Sequence, residues 1–331
     1  MTHNAAADHG DHERRAAATA VDGAVTEAFG VYGLPLPALV DVPARATQYS
    51  PLVAGALAIE DAPASALAGF VLLAPPSTLE RRCVIALALR AVKPGSPFTV
   101  LALKDKGGAR IGRELEAFGA KVRDDARRHH RICTTLRPAT PTGLDEAIAE
   151  GSLRFVDAIG LWSQPGVFSW DRIDPGTALL ASFLTAQLPL AGRVADLGCG
   201  IGTLARATLA ASTAISELTL IDRDRRAIAA ARLNVPDARA RFTWSDVRAH
   251  AGGLADLDAV VMNPPFHDGG AEDRALGQDF VRIAARMLRR GGRCVLVANR
   301  HLPYEDILAS AYRSVALLAD RAGYKVYEAV K

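Results

Sequence analysis

Arg193-Val-Ala-Asp-Leu-Gly-Cys-Gly-Ile-Gly202 is the stretch that decides the fold. Residues 193–198 form a short apolar run of strand character. The run breaks into Gly198, Gly200 and Gly202 just before a helical pattern over 202–211. Glycines at such a turn allow a tight bend and a close approach of backbone to a ligand. Downstream the same alternation repeats. Strands are expected at 218–222, 240–244, 258–263 and 294–299, and helices at 224–233 and 277–289. A helix at 177–188 precedes the first strand. A helix at 304–311 and strands at 313–318 and 324–330 close the chain. Short apolar strands alternating with helices predict an α/β, Rossmann-like, doubly wound parallel sheet.

The first half is also α/β. GFVLLAPP (69–76) reads as a buried strand ending at Pro75-Pro76, 79–91 as a helix and 97–105 as a strand. Residues 110–120 read as a helix with Ile111, Leu115 and Phe118 on one face, closed by Gly119. Chain breakers at 138–143, 164–166 and 174–176 put a boundary near 150. The expected organisation is a tail or weak helix over 1–40 and a smaller α/β domain over 41–150. A linker that covers the cofactor follows over 151–176, and the larger domain spans 177–331.

A chain of 331 residues is long enough for about two such domains, with half of its residues hydrophobic and 23% charged. That excludes collagen, a coiled-coil rod and a small disulfide scaffold. The net charge of +3 neither requires nor excludes a nucleic-acid partner. Cys83, Cys133, Cys199 and Cys294 are widely spaced without a CxxC pair, which disfavours a thiolate zinc site and fits reduced thiols in the cytoplasm. No metal is expected. The first twenty residues lack a signal-peptide core, and no apolar run approaches the ~20 residues that span a bilayer.

The glycine turn does not fit a dinucleotide site. Counted from Gly198 the sixth position is Thr203, and counted from Gly200 it is Ala205, so G-x-G-x-x-G fails. No lysine follows, so it is not a phosphate loop of the Walker type. S-adenosylmethionine fits better because it carries no phosphate. Asp196 is placed to face its ammonium, although a turn-capping carboxylate would look the same. Asp222, at the end of the second strand, can accept from two ribose hydroxyls. Asp246 can accept from an adenine amine and the Val247 N–H can donate to a ring nitrogen; Asp246 also fits an ordinary helix N-cap.

The fourth strand ends in Asn263-Pro264-Pro265-Phe266-His267. Two prolines freeze the backbone at the carboxyl end of the sheet, where α/β proteins place ligands. The chemistry that fits is methyl transfer to a planar amine. The Asn263 oxygen and the Pro264 carbonyl would each accept one N–H and stabilise the positive charge growing on nitrogen. Phe266 would stack on the base. Pro265 and His267 are substrate-contact candidates.

These segments together resemble the bacterial ribosomal RNA guanine-N2 methyltransferases of the small-subunit type. The resemblance rests on VADLGCGIGTLA (194–205), LTLIDRD (218–224), VVMNPPFHDGG (260–270), RRGGRCVLVANRHLPY (289–304), GYKVYEA (323–329) and GVFSWDRIDPGTALL (166–180). It implies a class I methyltransferase fold, S-adenosylmethionine as cofactor and a guanine of 16S ribosomal RNA as acceptor. It also implies a degenerate methyltransferase-like N-terminal domain that recruits RNA. Phe168, Ser169, Asp174 and Gly176 would close over the cofactor. Gly198, Cys199, Gly200, Gly202 and Arg223 would surround it with Asp196, Asp222, Asp246, Val247 and Asn263. Enzymes that methylate adenine N6 or glutamine usually carry Tyr where Phe266 stands, so the Phe favours guanine N2. A different RNA acceptor, or a non-enzymatic RNA-binding factor that kept the pocket, are the other readings. No membrane and no obligate protein partner are expected.

Residues 121–137 hold Lys121, Arg123, Arg127, Arg128, Arg131 and Arg137 against Asp124 and Asp125, a balance of +4. They read either as a solvated helix face and loop or as a phosphate-contacting patch with Arg127 and Arg128 at its centre.

Overall fold

Two mixed sheets carry the chain, described over residues 28–250, 253–265, 267–268, 271–272 and 274–331 in a computed structural model. The first contains β1 (Gly30–Tyr32), β2 (Thr47–Gln48), β3 (Phe70–Leu73), α1 (Thr78–Ala91), β4 (Pro97–Leu103), α2 (Ile111–Ala117), β5 (Arg123–Arg127) and β6 (His130–Leu136). Its order is β2-β1-β3-β4-β6-β5, parallel through β4 and antiparallel at the β4–β6 and β5–β6 pairings. Strands β3 and β4 read as apolar runs because both of their faces are covered. Phe70, Leu72, Phe98 and Val100 pack with α1, while Val71 and Leu101 pack with Val31 and Ile132 on the other side. Helix α3 (Leu144–Gly151) lies on α1.

A hairpin, β7 (Arg154–Val156) and β8 (Leu161–Ser163), leads towards the second unit. The buried Asn234 pins it: Trp162 N donates to Asn234 Oδ1 at 2.8 Å, and Asn234 Nδ2 donates to the carbonyls of Trp162 and Ile201 at 2.8 and 2.9 Å. Helix α4 (Pro175–Ala186) starts at the N-cap Asp174, whose carboxylate accepts from Thr177 N at 2.8 Å, with Pro175 presetting the first turn.

The second sheet alternates β9 (Gly192–Leu197), α5 (Thr203–Ala211), β10 (Ile215–Asp222), α6 (Arg225–Asn234), β11 (Ala240–Trp244), α7 (Val247–His250) and β12 (Leu257–Met262). The short pair β13 (His267–Asp268) and β14 (Ala271–Glu272) precedes α8 (Arg274–Met287), β15 (Leu288–Asn299), α9 (Glu305–Ala311), β16 (Ser314–Arg321) and β17 (Tyr324–Val330). The order is β11-β10-β9-β12-β15-β17-β16, with β17 antiparallel to both neighbours. This is the class I methyltransferase arrangement, a Rossmann-like α/β fold beside a smaller N-terminal unit. Without β11, the second sheet repeats the first strand for strand and sense for sense. β3 then takes the place of β12, and Ala74-Pro75-Pro76 stands where the second sheet has Asn263-Pro264-Pro265.

Two expectations need correction. The tail expected over 1–40 contains β1, which is buried between β2 and β3. Three residues, Gly30-Val-Tyr32, are too short a run to register as a strand; residues 1–27 lie outside the described residues. The basic stretch 121–137 is neither a helix nor a loop but the edge hairpin β5–β6. Its turn uses left-handed Arg128 and His129, at φ +46 and +63°. Arg127 pairs with Asp125 at 2.8 Å and Arg131 pairs with Asp124, so part of the +4 is neutralised locally.

The two units meet through buried charge. Glu80 on α1 accepts from Arg226 Nη1 on α6 at 2.6 Å, and the same guanidinium pairs with Asp224 at 2.8 Å. Pro51 O accepts from Arg225 N and from Trp244 Nε1, each at 3.1 Å. Removing one partner of a buried pair strands the other charge. Glu80→Ala is therefore expected to lower unfolding stability by about 3 kcal/mol, read as a drop in the urea midpoint. A midpoint equal to the parent protein's would mean that Asp224 alone suffices for Arg226.

Candidate active site

The C-terminal ends of β9, β10 and β12 converge where the strand order reverses, the place at which open α/β sheets bind ligands. A cavity of about 310 Å³ opens there. Gly198, Gly200, Asp222, Arg223, Asp246 and Val247 form one side, Asn263, Pro264 and Pro265 the other, and Gly166, Val167 and Phe168 cover it. An adjoining recess of about 50 Å³ is lined by Ser169, Asp174, Thr177, Cys199 and Asn263. Phe168 belongs to both and is 59% exposed, a large ring held at the mouth. The cover runs close over the first unit. At Gly166, with φ +99°, an added Cβ would stand 2.3 Å from the Glu80 carboxyl carbon.

Asp222 ends β10 as expected. Its Oδ2 accepts from Gly200 N and its Oδ1 from Asp224 N, both at 2.8 Å. Burial pushes its pKa up to about 6, against those two backbone donors. Asp246 accepts from Arg248 N at 2.8 Å and pairs with the Arg248 guanidinium at 2.7 Å, so it is the N-cap of α7 and also borders the cavity. Asn263 lies between the two spaces, and its Nδ2 donates to Asp174 Oδ2 and to Thr177 Oγ1, each at 2.9 Å.

Three of the expected cofactor residues sit elsewhere. Asp196 is 0% exposed beneath the glycine turn and does not border the cavity. Burial, followed by the Asp222 charge, pushes its pKa up to about 8 against the opposing backbone N–H of Ala205. Gly176 serves packing, since an added Cβ would meet the Tyr324 ring at 2.7 Å. Gly202 likewise admits Val235, which would lie 2.8 Å from its Cβ. Arg127 and Arg128 are on the edge hairpin of the first sheet and do not line the cavity. Phe266 lies outside the described residues, and of His267 only the backbone, in β13, is described. The sequence reading missed Asp224, Thr177 and the cover residues Gly166 and Val167. The D-x-x-T spacing from Asp174 to Thr177 is the signal that could have flagged the second of these.

The residues present fit S-adenosylmethionine. Asp222, which borders the cavity and is held by two backbone donors, keeps acceptor capacity for the hydroxyls of a ligand. The glycine cradle admits its backbone-like methionyl part.

Residues 158–328 match the methyltransferase small domain family. Ribosomal RNA small subunit methyltransferase C of Shewanella baltica is 34% identical over 249 residues, covering 73% of this chain and 70% of that protein. The protein of the same name from Pseudomonas entomophila is 32% identical over 261 residues, covering 77% of each. Among solved structures, the Thermus thermophilus 16S rRNA N2 G1207 methyltransferase in complex with AdoMet and guanosine superposes with a TM-score of 0.68 at 28% identity. That match covers 83% of this chain and 76% of the other.

The elevated Asp222 pKa gives a pH dependence with a definite sign. In the ribose-binding role expected of Asp222 the ionised carboxylate is the stronger acceptor, and protonation below about pH 6 weakens it. S-adenosylmethionine affinity is expected to weaken as pH falls through about 6. In Asp222→Asn it should be weaker throughout and flat over that interval. Calorimetric titrations across the interval check it; an Asp222→Asn profile parallel to the parent's would remove Asp222 from the site.

Proposed function

The chain belongs to the methyltransferase small domain family, in the branch of the ribosomal RNA small subunit methyltransferases C, and from that premise we propose that it methylates the exocyclic N2 of a guanine in 16S ribosomal RNA. It is an S-adenosylmethionine-dependent methyltransferase. The observation that carries the acceptor assignment is Asn263. It directly follows β12, is followed by Pro264-Pro265, and borders the same cavity as Asp222 and the glycine turn.

S-adenosylmethionine supplies a methyl already activated by its sulfonium. The chain's own residues bind and align. Asp222 takes the ribose hydroxyls, with Asp246 and Val247 on the adenine side. An aromatic amine is a weak nucleophile because its lone pair is delocalised into the ring. The Asn263 oxygen and the Pro264 carbonyl each accept one of its N–H bonds. That turns the nitrogen lone pair towards the methyl and stabilises the charge that grows as the N–C bond forms and the C–S bond breaks. When bound, the sulfonium would take up the electron pair of the broken C–S bond, and the spare proton would pass from nitrogen to solvent. Pro265 borders the cavity on the acceptor side; the base-stacking role expected of Phe266 and the contact expected of His267 fall on side chains outside the described residues. The reaction belongs in the cytoplasm, on free RNA or on the small subunit. Among the described residues no helix is long and apolar enough to cross a membrane.

The N-terminal unit is best read as a copy of the catalytic sheet that has lost its site and gained an RNA-recruiting role. Support comes from the shared strand order and from Arg81, which is 0% exposed and donates to the Pro76 carbonyl at 2.8 Å while pairing with Glu114 at 2.6 Å. The end of β3 is thereby closed. The exposed edge strand β5, with the turn cation Arg128, is the candidate phosphate contact.

Two experiments test the proposal. Asn263→Ala should slow methyl transfer about 10²–10³-fold, on the scale of losing one aligned transition-state hydrogen bond, with S-adenosylmethionine affinity nearly unchanged. Single-turnover assays on 16S RNA and on small subunits, followed by nucleoside mass mapping, measure it; product on 23S RNA alone would redirect the substrate. Arg127→Glu with Arg128→Glu should weaken RNA binding and flatten its salt dependence while the methylated nucleotide stays the same. An unchanged salt slope would return the hairpin to plain solvated surface.

A further inference from the structure

We infer that Asp174 and Thr177 are positioning residues that fix which end of the Asn263 amide meets the acceptor amine. The inference rests on the reading of Asn263 given above. An asparagine presents an oxygen at one end and two N–H bonds at the other, and its place at a strand end does not select between them. Here Nδ2 lies 2.9 Å from Asp174 Oδ2 and 2.9 Å from Thr177 Oγ1, so both N–H bonds are taken by the start of α4. The carboxylate can only accept. Flipping the amide would set oxygen against oxygen at hydrogen-bond distance. The amide oxygen is therefore turned away from α4, and among the described residues it accepts no hydrogen bond.

The clamp itself cannot drift. Asp174 Oδ2 also accepts from Thr177 N at 2.8 Å, so the atom that caps the helix is the atom that holds Asn263. Pro175 presets the first turn. Gly176 admits the Tyr324 ring so closely that any side chain there would push the turn off β17. The same first turn continues directly from the segment that covers the cavity at 166–168.

The consequence is specificity. With Asn263 locked, this strand end offers the cavity only acceptors, the Asn263 oxygen and the Pro264 carbonyl. A primary aromatic amine satisfies both. A keto oxygen at the same place would face two acceptors and leave them unpaired, which selects the amino edge of a base over its keto edge.

The test uses the full chain with S-adenosylmethionine and 16S RNA. Asp174→Ser retains a good helix cap but is too short to reach Asn263. Thr177→Val keeps the shape and loses the acceptor. Both are expected to lower kcat on the order of tenfold by loosening the alignment of the nitrogen. The fall in kcat should exceed any rise in KM for S-adenosylmethionine, since both residues also line the recess beside the glycine turn, and the thermal midpoint should stay near the parent value. Asp174→Asn, which keeps both the reach and an acceptor oxygen, should recover most of the rate lost in Asp174→Ser. Parent-like kcat in Asp174→Ser and Thr177→Val, alongside a slow Asn263→Ala, would overturn the clamp and spare the reading of Asn263. So would a loss of kcat that merely follows a fall in thermal midpoint. Parent-like kcat in Asn263→Ala would instead overturn the reading of Asn263, and this inference with it.

Discussion

A guanidinium buried between two carboxylates from different halves of the chain is the constraint on which the arrangement depends. Arg226 is 5% exposed and touches both Glu80 and Asp224. An unpaired charge at that depth is too costly to keep, so α1 of the first unit and α6 of the second are held in register. The consequence reaches the cavity in one step, because Asp224 N donates to Asp222 Oδ1. Glu80 also sets how closely the cover at Gly166 passes. The first unit therefore shapes the wall of a cavity to which it contributes no lining residue.

The two sheets resolve the same local problem in opposite ways. Both have a strand ending in two prolines, and proline leaves carbonyls that no neighbouring N–H of the turn can serve. After β3 those carbonyls accept from Arg81, whose charge is matched by Glu114, and the position is sealed. After β12 the prolines border open space, and Asn263 turns its N–H bonds back onto α4. Ala74 in place of Asn263 is the difference in chemistry at the equivalent position. The buried arginine is the difference in space.

The carboxylates around the glycine turn fall into two kinds. Asp246 and Asp224 already have guanidinium partners. Asp196 has none, and Asp222 is held by backbone N–H groups, so dehydration raises both pKa values. Dehydration of this kind favours the protonated form of each, more strongly for the sealed Asp196 than for Asp222.

The sequence by itself determined the elements and the chemistry of their ends. From residue 175 onward each expected strand and helix is present within a few residues, because apolar periodicity, the glycine turn and the Asn263-Pro264-Pro265 stop are local signals. The same local logic failed where the signal was short or of the wrong period: three-residue β1 vanished into an alanine-rich tail, and the charged β5–β6 hairpin looked helical. Roles within the site were less legible than its location. Gly176 fitted a cofactor reading as well as the packing that the fold gives it, Asp174 caps α4 and lines the recess at once, and Asp196 looked like a wall residue although it is sealed. Only the tertiary structure decided these, for one physical reason. Which carboxylate loses its water, which cation comes to meet it and which way an amide turns depend on pairs far apart in the chain, Glu80 with Arg226 and Asp174 with Asn263. No local pattern encodes such pairs before the sheets bring them together.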